Sequence, residues 1–229
     1  MKKISILLFA LFCTTFAFAQ CNSFYAINEG TAWTYENFNP KGKTMGKNEQ
    51  QVTAFDKTPS GYRATVKSTL WNEKGKKITE GELELTCDNG TFIMDMRKFI
   101  PEEQQKAFSS YEMKIESENL ELPSKLSVGQ TLKSGSVTLS AVGSPMPMKI
   151  TVSITDRKVE GKESITTPAG TFECYKISSK SSTQLQMGIN MNKEFASVEW
   201  VGENVGTVKS ESYDKNGKLV GYTLLVGRK

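Results

Sequence analysis

Histidine is absent from this 229-residue chain, and that gap removes much of the common chemistry of enzymes. Without imidazole there is no Ser-His-Asp or Cys-His nucleophilic site, and no zinc site built on histidine. Cysteine is scarce too: Cys13, Cys21, Cys87 and Cys174 make no Cys-x-x-Cys redox or metal motif. No P-loop and no dinucleotide-binding glycine fingerprint occurs. After the first residues no apolar run approaches the roughly 20 residues of a membrane-spanning helix. Charge of one sign is never massed into a block, so the basic stripe of a nucleic-acid binder is missing. The Ser-x-x-Lys at Ser212-Tyr213-Asp214-Lys215 runs from a strand into a turn, not along the helix that would stack the two side chains. Glu80, Glu82 and Glu84, and Glu116, Glu118 and Glu121, fall mostly at alternating strand positions, which suits a solvated strand face better than a glycosidase pair. The expectation is a protein that is not an enzyme and needs no cofactor.

What is present begins with an export signal. Met1-Lys2-Lys3 is followed by an apolar run from Ile4 to about Phe12 and by Ala17-Phe18-Ala19, the order of a cleavable signal peptide over residues 1–19. Its removal takes Lys2 and Lys3, leaving 29 − 2 = 27 basic against 25 acidic residues. Residues 20–229 then read as one β-rich domain, periplasmic or secreted. Cys21 opens a rival address, an outer-membrane lipoprotein acylated there, although Gln20 and Phe18 make a weak lipobox. In an oxidising compartment Cys21 and Cys87, both near strand or chain ends, are the candidate disulfide, and Cys174 in a strand interior suits a buried free thiol. Spacing alone does not settle that pairing.

Strand signals fill the remainder. Thr79–Thr86 alternates acidic and apolar residues, and Met148–Thr155 alternates Thr and Ser with Ile and Val, the period of half-buried strands. Further strands read at 32–38, 51–56, 62–71, 91–96, 137–142, 172–178, 196–201, 205–213 and 219–226. One short helix is expected over Pro101–Phe108, with proline at a first helical position and acids in the first turn. Three turns share one form. Phe38-Asn39-Pro40-Lys41-Gly42-Lys43, Trp71-Asn72-Glu73-Lys74-Gly75-Lys76 and Tyr213-Asp214-Lys215-Asn216-Gly217-Lys218 each run aromatic, Asn or Asp, two variable residues, Gly-Lys. Asn or Asp bonds the backbone ahead, and glycine takes the left-handed position that returns the chain to the sheet. This is either a remnant duplication or convergence on residues that suit such turns. The fold expected is all-β, mainly antiparallel with one short helix, as a curved half-barrel or a sandwich.

Methionine is the remaining clue. Met94 and Met96, then Met146 and Met148, are spaced to share a strand face, with Phe92 and Phe99 close to the first pair. Thioethers fill cores, line adaptable apolar cavities, and in other settings hold copper(I); no histidine stands in register here to help with the last. These six residues are the candidate ligand-binding set.

The second half carries a resemblance. Leu126–Leu132, Val159–Glu163, the turn Thr167-Pro168-Ala169-Gly170-Thr171-Phe172, Glu199-Trp200-Val201 and Val205–Glu211, with Gly30-Thr31-Ala32-Trp33 near the start, resemble the TapB-like family of uncharacterised secreted proteins from Bacteroidota-type bacteria. The resemblance spans most of the mature chain. It implies a periplasmic or surface location and a β-rich fold, and it brings no catalytic residue. Two functions are therefore expected to compete. One is a non-enzymatic envelope protein that binds an apolar or lipid-like ligand in a β-sheet cavity. The other is a structural or assembly protein that meets an envelope protein through exposed strand edges. Neither nucleic acid nor a transmembrane segment is expected.

Overall fold

The computed structural model describes Cys21, residues 23–100, Gln105, Lys106 and residues 108–229; the expected signal peptide lies outside them. Thirteen strands follow one another: β1 (Ala32–Phe38), β2 (Thr44–Thr58), β3 (Gly61–Asn72), β4 (Lys77–Asp88), β5 (Thr91–Met94), β6 (Glu112–Glu118), β7 (Leu120–Pro123), β8 (Gly135–Val142), β9 (Met148–Thr167), β10 (Gly170–Met187), β11 (Asn190–Gly202), β12 (Gly206–Tyr213) and β13 (Leu219–Arg228). All belong to one sheet, in the order β6-β8-β9-β10-β11-β12-β13-β1-β2-β3-β4-β5-β7. Their ladders are antiparallel throughout.

The two outer strands of that order are neighbours in sequence. Only Asn119 separates β6 from β7, so one extended stretch pairs with β8 along its first part and with β5 along its second. That partner switch brings the sheet's two edges together and rolls it into a nearly closed barrel, in which β6 and β7 each keep one edge unpaired by any described strand. The half-barrel reading is therefore nearer than the sandwich. At the seam Arg157 Nη1 donates to the carbonyl oxygens of Glu121 (2.9 Å) and Lys133 (2.7 Å), tying β7 to the chain before β8. Gly135 gives Leu120 room there, since a Cβ would lie 2.7 Å from its side chain.

Antiparallel order sends alternate turns to opposite ends. The turns at 39–43, 73–76, 143–147, 188–189 and 214–218 gather at what we term the hairpin end; those at 59–60, 89–90, 168–169 and 203–205 gather at the other. The chain's first described residues fill that second end. Phe24 and Ile27 are buried, the Asn204 amide donates to the Ser23 carbonyl (2.7 Å), and the Trp33 indole donates to the Val205 carbonyl (3.0 Å). Cys21 is disulfide-bonded to Cys87 across a Cα–Cα distance of 6.1 Å, which pins the plug to the end of β4. Cys174 is a buried free thiol.

The three related turns fold alike. Asn39, Asn72 and Asp214 each accept, on Oδ1, the amides of the residues two and four positions ahead, all at 2.9–3.0 Å. Their hairpins, β12–β13, β1–β2 and β3–β4, stand side by side in the sheet. Gly46 and Gly221 mark the repeat again: a Cβ there would lie 2.2 Å from the Trp71 carbonyl oxygen and 2.8 Å from that of Phe38. In both hairpins a glycine thus lets a turn aromatic of the neighbouring strand come close.

Two elements differ from expectation. β6 and β7 were not among the strands read from the sequence, although Glu116, Glu118 and Glu121 were placed at strand positions: β6 stays exposed along its whole length and its polar–apolar alternation stops after Glu116, and β7 is only four residues long. Asp95 caps a short 3₁₀ helix, Met96–Phe99, by accepting the Arg97 amide (2.9 Å). Of the expected Pro101–Phe108 helix, Gln105 and Lys106 are helical and Phe108 lies in a turn; Pro101–Gln104 and Ala107 lie outside the described residues.

Candidate functional site

Inside the barrel the packing separates into two clusters. One, toward the plugged end, gathers Phe24, Trp33, Val52, Val66, Val208 and Leu225; the other packs Met96, Ile100 and Phe108 onto Val137, Leu139 and Ile150. Between them lies a cavity of about 130 Å³. Phe92 and Met94 of β5, Leu120 and Leu122 of β7, Ile154 of β9 and Ile177 of β10 supply its apolar wall. Its polar residues are Tyr25, Glu121, Arg157, Glu199, Ser179 and Ser197, the two serine hydroxyls bonded to each other at 2.8 Å.

A bulge places the arginine there. Ile150, Val152 and Ile154 alternate along β9, and continuing that period would bring Asp156 to the lumen. Asp156 instead adopts φ +52°, the β9–β10 register shifts, and the next lumen positions become Arg157 and the fully buried Val159. Arg157 is 9% exposed. Its Nη1 is committed to the seam carbonyls, and among the described residues its Nε and Nη2 find no acceptor. Burial pulls the guanidinium below its ordinary value, while Glu199, Tyr25 and Glu121 push the other way; it stays charged.

Glu199 faces the same space from β11. Its side chain stays exposed, and the exposed surface lines the cavity among the apolar walls of the barrel. Desolvation between those walls raises its carboxyl above the ordinary range, and Arg157 offsets part of that. No cation lies within ion-pair distance of Glu199 among the described residues. Tyr25 completes the group. Its ring stacks on Phe92 (4.1 Å between centroids), its hydroxyl meets Thr207 Oγ1 at 3.2 Å, and burial pushes it up to about 12. Gly206 makes room for that ring, since a Cβ would sit 2.5 Å from it. The cavity thus offers an apolar wall with a hydrogen-bond donor and an ionisable carboxyl facing each other across it.

Of the residues singled out in the sequence, Phe92, Met94 and Phe99 line this cavity. Met96 is buried beside it in the second cluster, and Met148 packs on that cluster from the side. Met146 is 59% exposed in the β8–β9 turn, away from the lumen. Tyr25, Arg157 and Glu199 escaped the sequence reading. In the fold Glu199 faces the lumen, and Trp200 is covered outside by Lys176 and Lys209 at 5.4 and 4.5 Å while donating to Glu163 (2.6 Å).

With the barrel and its lumen described, comparison with known proteins places the chain. Residues 28–225 match the DUF3108-like family. The chain belongs to the DUF3108-like family. A solved structure from Parabacteroides distasonis, named a candidate lipoprotein, is 26% identical and superposes with a TM-score of 0.72 over 91% of this chain and 99% of its own. A second, from Bacteroides fragilis, is named a candidate exported protein with a YmcC-like fold; it is 23% identical, with a TM-score of 0.68 over 91% and 100%, and shows the fold alone. No curated protein matches. Among the described residues no helix is long and apolar enough to cross a membrane.

Proposed function

We propose that this DUF3108-like protein is a non-enzymatic, exported envelope protein that holds an apolar or lipid-like ligand in the barrel lumen, its polar end at Arg157 and Glu199. The observation that carries the reading is the cavity itself: an apolar wall joined to a buried arginine with donors to spare and a lumen-facing carboxyl. A ligand site is ordinarily a mostly apolar cavity with a few placed polar groups. At about 130 Å³ this one takes a head and a few carbons, so the rest of an acyl chain must leave along the lumen. An export signal over residues 1–19 and kinship with the TapB-like secreted proteins belong to the same reading. In it Cys21 serves the disulfide, and a thioether-linked lipid would need the same sulfur.

Native mass spectrometry of protein purified from the periplasm tests this directly. The expected result is a bound species released on denaturation, and competition for a fluorescent fatty-acyl probe that Ser197→Phe, which fills the lumen, abolishes. An empty protein whose Ser197→Phe variant takes up the probe as well as wild type would sink the reading.

One observation favours a second reading. Over Glu112–Glu118 the outer edge of β6 pairs with no described strand, so an envelope protein could add a strand there. Cross-linking in cells that captures one partner through β6 would support it, and a monomer alone would not.

A further inference from the structure

The three related turns have so far had only a structural role, yet all three lie at the hairpin end. They carry six lysines, Lys41, Lys43, Lys74, Lys76, Lys215 and Lys218, every one exposed, against two acids. One acid, Asp214, is consumed as a turn cap, and the other, Glu73, is paired with Lys43 at 2.7 Å. The turns at 59–60, 89–90, 168–169 and 203–205 hold no lysine at all. In the longer loop at the plugged end Lys133 is already paired with Glu121, which leaves Lys125 as that loop's one exposed lysine without an ion pair.

Exposed apolar side chains divide the same way. Val128 excepted, every exposed large apolar side chain among the described residues lies in the half of the barrel nearer the hairpin end, or on the segment joining β5 to β6 there. Ile189 (73% exposed) and Met146 (59%) stand on turn tips, and Met113, Met191, Ile78 and Val220 are second in their strands. Between Ala141 and Thr155, and between Ser181 and Lys193, the only charges are Lys149 and Lys193. Apolar tips flanked by lysines, massed at one end, match a surface that is apolar inside and anionic outside.

We propose that the hairpin end docks on an anionic lipid surface, with the Met146 and Ile189 tips entering the headgroup boundary and the turn lysines meeting lipid phosphates. The rim would then face the bilayer, leaving the disulfide-pinned end pointing away. This holds whether or not the lumen carries a ligand, so its failure and that of the cavity reading are separable.

The test is flotation of the full mature protein with vesicles of phosphatidylglycerol and phosphatidylethanolamine, set against vesicles of phosphatidylcholine alone. Binding is expected to the anionic vesicles only, and to weaken with salt. Lys41→Gln/Lys74→Gln/Lys215→Gln, one change per turn at residues without ion pairs, should weaken it by about fivefold per lysine. Ile189→Ser/Met191→Ser should release the protein, and Val128→Ser at the other end should leave binding unchanged. These are surface changes that leave the core intact, and circular dichroism checks that. Equal binding to both vesicles, no binding, or lysine variants that float like wild type would overturn the proposal. So would self-association through Ile189 and Met191 without lipid.

Discussion

The two ends of the barrel are built on opposite principles. At the plugged end the chain folds back on itself: Phe24 and Ile27 are driven into the lumen, Tyr25 stacks on Phe92, and Cys21 is bonded to Cys87. At the hairpin end the same strands run on past the core, and their tips expose Met, Ile and Val among lysines. A rolled sheet has a period of two along every strand, so its inner face needs filling at both ends. One end is filled from within the chain. The other holds Met96, Ile100 and Phe108, buried on Val137, Leu139 and Ile150. The difference separates stability, concentrated at the plug, from an interaction surface at the rim.

The largest effect expected from breaking this contrast is at the plug. Phe24→Ala should cost about 4 kcal/mol, read as a lower denaturation midpoint; a loss under about 1 kcal/mol would mean the plug is not part of the cooperative core. Opening the disulfide by Cys21→Ser/Cys87→Ser should cost about 3 kcal/mol, since it frees the segment that carries Phe24 and Tyr25. Reducing agent should reproduce that loss in wild type and do nothing to the variant.

Between the two ends, Glu199→Gln should alter the pH dependence of stability more than its size. A carboxyl raised by burial binds its proton more tightly folded than unfolded. Stability therefore falls as pH rises from the ordinary value of 4.5 through the raised folded one. Glu199→Gln should flatten that fall, and an unchanged slope would place the titration elsewhere. The smallest effect belongs to the rim. Lys41→Gln/Lys74→Gln/Lys215→Gln should move stability by no more than about 0.5 kcal/mol per site, with the change confined to lipid flotation.

Much of the strand content was legible in the sequence because alternation is a local signal. β1 falls at 32–38 in both readings, and β12 and β13 differ from it by a few residues. β6 was left out of the listed strands for an equally local reason, since its alternation runs only from Glu112 to Glu116 and none of its residues is buried. Phe92, Met94 and Phe99 could be picked out as a cluster of large apolar side chains on a short strand and its sequel. Arg157 could not, because only the bulge at Asp156 inverts the period, and a bulge leaves no residue signature of its own. Glu199 could not be picked out either, because a carboxylate in a strand reads as part of a solvated face.

By itself the sequence determined the class of fold, through alternation and turn residues, and it excluded imidazole chemistry by composition. It also placed the six turn lysines, since a turn's residues are local facts. The tertiary structure alone decided where those facts meet. Strand order brings three similar hairpins side by side, register carries Arg157 and Glu199 into one lumen, and antiparallel alternation gathers lysines and exposed apolar tips at a single end. Each of these depends on pairing between residues far apart in the chain, and local propensity carries no record of such pairings.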